Sequence, residues 1–172
     1  MSFEDDLSLY RDLTREDDVG LVLRGHLHIE HQLMEIARVV LPYGDRCNWG
    51  AFSYRTKVEL AYACGLPDDV RQTLLKLGTL RNDFAHKLGA SITQQSALDL
   101  YNSLANKHQT ILRDSYKDMM GVTQFSPSKL EPRDLVTLIF LNTHTATRAA
   151  VLALRAMPPN NSFKPKPLRG SA

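Results

Sequence analysis

Residues 18–42 read DVGLVLRGHLHIEHQLMEIARVVLP, and this stretch decides the fold. Its apolar side chains Leu23, Leu27, Leu33, Met34, Ala37, Val40 and Leu41 recur at helical spacing and stop at Pro42, which cannot continue a helix. The same rhythm runs outward in both directions. On the N-terminal side, residues 4–16 form a short, weakly patterned helix. On the C-terminal side, residues 42–52, PYGDRCNWGAF, are rich in turn formers and read as a loop carrying Trp49. Ser53 then caps a helix over 54–64 that ends at Gly65, and Pro67-Asp68-Asp69 places a proline and two acids in the first turn of a helix over 67–86. That helix carries Val70, Leu74, Leu77, Arg81 and Phe84 in one row and ends before Gly89. Ser91 with Gln94 reads as a capping box for one long helix to residue 120, with Leu98, Tyr101, Leu104, Ala105, His108, Ile111, Leu112 and Met119 inside. After a linker over 121–128, Pro132 opens a last helix to Met157. No alternating strand pattern occurs, so the expected fold is all-α: a single-domain bundle of five to six helices over residues 1–157, followed by a disordered, basic, proline-rich tail over 158–172.

A chain of 172 residues suits one domain and buries about 70% of its unfolded surface. Hydrophobic residues at 43% and charged residues at 23% are ordinary for a globular protein, and no uninterrupted apolar run approaches the roughly 18–20 residues that span a bilayer. The acidic N-terminus lacks the plan of a secretory signal, and Cys47 and Cys64 are too few for a disulfide framework or a four-ligand zinc site. A cytoplasmic protein without membrane contact follows as the expectation. The formal net charge of +2 resides in the tail: Lys164, Lys166 and Arg169 removed, the body holds 18 basic against 19 acidic side chains. Such a body lacks the clustered positive surplus that duplex binding through many phosphate contacts requires.

Arg81 is the anomaly in the pattern, because an arginine cannot shed its charge and rarely stands in an apolar row without a partner or a cleft. Glu30, on the 18–41 helix, is the expected partner; the alternative is a cleft in which Arg81 faces an anion. His86 follows Arg81 by five residues, about 7.5 Å of rise and 140° of rotation, so the two heads meet within one chain only if the helix end distorts. Asn82 and Asp83 are supporting candidates, the first for amide hydrogen bonds and the second for orienting the imidazole. His26, His28 and His31 lie close in sequence, yet neither HExxH nor HxxEH is formed, so no metal and no cofactor are expected. His108 reads as a core histidine or as a further member of a cleft around Arg81. No P-loop, GxGxxG, GxSxG or helix-turn-helix signature is present, which leaves no direct DNA-reading element.

The run Arg81-Asn82-Asp83-Phe84-Ala85-His86 resembles the R-x4-H motif of the HEPN superfamily of all-α domains. Together with Arg24-Gly25, Glu30, Leu33, Phe52-Ser53, Lys57 and Leu60-Ala61-Tyr62-Ala63-Cys64-Gly65-Leu66, it is similar to the mannitol-repressor-like regulators of that superfamily, over roughly residues 20–120. The resemblance implies a helical regulator acting through protein contacts. It alternatively implies a metal-independent RNA endonuclease of toxin or defence type, in which Arg81 would stabilise transition-state charge and His86 would move the proton at a site shared by two subunits. A structural interaction module is the third reading. The expected partners are a second copy of the chain, with RNA or a regulatory protein beside it. The homodimer would bring Arg81 and His86 of two chains together across a twofold axis, with the Trp49 loop as apolar surface to cover.

Overall fold

The computed structural model describes residues 3–157, and among these the fold is an all-α bundle of seven helices without strands. They are α1 (Phe3–Thr14), α2 (Asp18–Val40), α3 (Tyr54–Ala63), α4 (Asp68–His86), α5 (Gln94–Asn102), α6 (Asn106–Met120) and α7 (Pro132–Ala156). The expected tail over 158–172 lies outside the described residues.

Helices α2 and α7 form the centre, and they run side by side in the same direction. Arg133 at the start of α7 bonds Asp18 at the start of α2 at 3.0 Å, and Arg155 near the end of α7 bonds Glu35 near the end of α2 at 2.6 Å. Halfway along, the ring of Phe140 occupies the space beside Gly25, where a Cβ would come within 2.6 Å of it. Around that close approach Leu21, Ile29, Leu33 and Ile36 of α2 and Leu135 and Ile139 of α7 are buried with essentially no exposure, each such side chain adding about 1.5–3 kcal/mol of transfer free energy. Helix α7 is long and apolar enough, by length and composition, to cross a bilayer, but 56% of that window is buried inside the bundle, as expected of a core helix.

The buried face of α2 is rotated from the row expected of it. Leu27 is 62% exposed and Val40 also faces solvent, while Gly25 and His26 are buried. A reading by hydrophobicity selects the leucines, whereas packing selects the position that admits Phe140.

The expected single helix over 91–120 is two helices. Thr93, not Ser91, is the N-cap of α5: its hydroxyl accepts from the Ser96 N–H at 3.1 Å, and the Ser96 hydroxyl accepts from the Thr93 N–H at 3.0 Å. The chain breaks at Ser103–Ala105 without a glycine or proline, because side chains satisfy the carbonyls that the break releases. The Gln109 amide donates to the Tyr101 and Leu104 carbonyls at 3.3 and 3.1 Å, and the Thr73 hydroxyl of α4 donates to the Ser103 carbonyl at 2.9 Å. The bend leaves Ile111 and Met119, both expected inside, exposed.

The loop after α2 also differs from expectation. Trp49 lies in a 3-10 turn (Trp49–Ala51) and is buried, edge-on to Phe52 with ring centroids 5.8 Å apart. It belongs to the core and offers no apolar surface for a partner to cover.

Candidate functional site: a polar cluster between α2, α3 and α4

Helix α3 starts at a defined residue because the Ser53 hydroxyl accepts from the Thr56 N–H at 3.1 Å. Tyr54 and Lys57, three residues apart on its first turn, therefore share one face, and that face meets α2. The Lys57 ammonium donates to Glu30 Oε1. The other oxygen of the same carboxylate stands 3.6 Å from His26 Nε2, and His26 and Tyr54 lie ring to ring at 4.1 Å. Helix α4 closes the cluster through Gly78, where a Cβ would sit 2.7 Å from the Tyr54 ring. One turn further along α4 is Arg81, half-buried, its Nη1 donating to Asn82 Oδ1 at 3.2 Å.

Burial holds the His26 pKa down to about 4; Glu30 opposes this shift, and the positive charges of Arg81 and Lys57 add to it. His26 is therefore a neutral imidazole at pH 7. Burial, and then the Glu30 carboxylate, push the Tyr54 hydroxyl well above its ordinary range, so it remains a protonated donor. Two polar atoms of the cluster have no hydrogen-bond partner among the described residues: His26 Nδ1 and the Tyr54 hydroxyl.

The expected Arg81–Glu30 ion pair is not formed. Glu30 is taken by Lys57, whose side chain is 7% exposed and reaches the carboxylate from α3. Arg81 lies instead within electrostatic reach of His26, at the edge of the same cluster. His86, at the end of α4, is exposed, and no contact joins it to Arg81 within the chain. Asp83 does not orient the imidazole: it pairs with Lys87 at 2.7 Å and lines a shallow depression of about 130 Å³ towards α5, beside Lys76 and Asp99. His108 takes no part around Arg81. Its Nε2 stands 3.3 Å from Asp69 Oδ2, at the opposite end of α4.

Of the clustered histidines only His26 joins this site; His28 lies edge-on to His144 with centroids 6.1 Å apart, and His31 is exposed. Among the described residues no three His, Cys, Asp or Glu side chains come together as a metal site would need. Cys64 is buried, with its thiol pKa raised by that burial, and Cys47 is half-buried; both are free.

No protein-family model, curated protein or solved structure matches this chain. Three of the positions on which the family resemblance was drawn, Glu30, Lys57 and Arg81, converge here although they come from three helices. His26 and Tyr54 were missed as members. The available signal was the i,i+4 spacing of His26 and Glu30 and the i,i+3 spacing of Tyr54 and Lys57, two polar pairs each on one helical face.

Proposed function

We propose that this chain is a helical regulatory protein of the HEPN-like, mannitol-repressor-like kind, acting through protein contacts as a homodimer. The observation that carries the reading is the end of α4 and the turn after it, where Ala85, His86, Lys87, Leu88 and Gly89 are all exposed and Leu88 stands wholly in solvent. A leucine held entirely free beside His86 gives up about 1.5–3 kcal/mol of burial that a partner surface would recover. The end of α6 adds Met119, Met120 and Val122, all exposed, as further apolar surface. Arg81 serves its own subunit by flanking the interhelical cluster.

The ribonuclease reading stands second. It is favoured by the His86 imidazole, which is exposed and without a hydrogen-bond partner among the described residues, hence open to a second subunit's arginine.

The experiment is sedimentation of the full chain at micromolar concentration, with RNA incubated in EDTA in parallel. The expected results are a species of twice 19.4 kDa, its conversion to monomer by Leu88→Asp, and intact RNA. A monomer at every concentration overturns the homodimer. RNA cleavage by the wild type that His86→Ala abolishes puts the ribonuclease first.

A further inference from the structure

We infer that Tyr54, Lys57 and Arg81, with His26 behind them, form a binding site for a small oxyanion between α2, α3 and α4. The Lys57 ammonium is matched by the Glu30 carboxylate, while Arg81, a second cation, lies within electrostatic reach of His26, which contributes no charge at neutral pH. A purely structural ion pair would balance to zero; this cluster retains a surplus positive charge in a partly desolvated place, which favours an anionic occupant. Arg81 spends one of its five donors on the neutral Asn82 amide, so most of its planar fork is available to an oxyanion.

Unmet hydrogen bonding points the same way. The Tyr54 hydroxyl and His26 Nδ1 are sealed from solvent and unpartnered, and a buried polar group without a partner costs about 1–3 kcal/mol. The hydroxyl is held in its protonated, donating form. Access exists as well: the Glu30 side chain is 20% exposed and Arg81 is half-buried, so the cluster has a mouth to solvent. An oxyanion entering there would accept from Arg81 and Tyr54 and share the Lys57 ammonium with Glu30. This site lies within one subunit and does not depend on the dimer or on His86.

Inorganic sulfate is the first probe, since it stays a dianion through the His26 titration. In proton NMR of the full chain, sulfate is expected to raise the His26 midpoint from about 4 by roughly one unit relative to chloride at equal ionic strength, because a nearby anion favours the imidazolium. Calorimetry with inorganic phosphate at pH 7 supplies the second readout. Tyr54→Phe keeps the ring on Gly78 and is expected to weaken phosphate binding about tenfold without lowering the thermal midpoint, since the hydroxyl removed had no partner. Arg81→Gln is expected to weaken it at least as much. Equal His26 midpoints in sulfate and chloride, or phosphate binding unchanged in both variants, would overturn the inference.

Discussion

Helix α2 carries two carboxylates five residues apart, Glu30 and Glu35, and each holds two cationic or cationisable side chains. Their exposures are nearly equal, 20% and 21%. What differs is the partner. Glu30 holds Lys57, 7% exposed, from α3, whereas Glu35 holds Arg38, 32% exposed, on its own helix and Arg155, 54% exposed, on α7. The Glu35 pKa is lowered mainly by its hydrogen bond from Arg38, against the effect of burial. The comparison teaches that the burial of the cation, not of the carboxylate, decides what an ion pair does for the fold. Arg155 is already open to water when Glu35 is lost, whereas Lys57, 7% exposed, has little water at hand to replace Glu30.

The largest expected effect tests that statement directly. Glu30→Ala leaves the nearly buried Lys57 ammonium without its carboxylate and is expected to cost about 3–5 kcal/mol, read from urea unfolding. Adding Lys57→Met should recover much of the loss, because an apolar chain of similar length then fills the same space. A double variant no more stable than Glu30→Ala would break the comparison.

An intermediate effect comes from His26. Its folded pKa of about 4 lies below the 6.5 of an unperturbed imidazole, so between those values the unfolded chain binds the additional proton and stability falls as pH falls. The destabilisation is absent above pH ~7, grows through that window and levels off below pH ~4 at about 3 kcal/mol. Urea unfolding at a series of pH values should show this limb, and His26→Gln should remove it. A limb that persists in the variant would assign it to other groups.

The smallest effect is at Glu35. Glu35→Ala is expected to cost less than about 1 kcal/mol, and less still at high salt, as for exposed pairs. A loss matching that of Glu30→Ala would mean that bridging α2 to α7 matters more than cation burial.

Much of the fold was legible in spacing and punctuation. Pro42, Ser53, Gly65 and Pro132 mark the ends of α2, α3 and α7 within a residue or two of where they lie, because capping and proline exclusion act on adjacent residues and need no tertiary context. The break between α5 and α6 was not legible. No glycine or proline marks a stop at Ser103; the Gln109 amide takes the Tyr101 and Leu104 carbonyls only after the chain has bent, and the distant Thr73 takes that of Ser103 only once α4 is in place. The candidate site divides in the same way. Arg81 stood out as a charge in an apolar row, but Glu30 is not its partner, because a third helix, α3, brings Lys57 to the same carboxylate.

The sequence by itself therefore determined that this chain is helical, where most of its helices begin and end, and that Glu30 and Arg81 are charges in need of an explanation. These follow from periodicity and from the chemistry of neighbouring residues. Only the tertiary structure decided which face of α2 is buried, that Lys57 reaches Glu30 first, and that His26 and Tyr54 are enclosed with unmet hydrogen bonds. Those outcomes depend on how closely helices approach, and the approach is set by the space beside Gly25 for Phe140 and beside Gly78 for Tyr54, which no periodicity along one helix records.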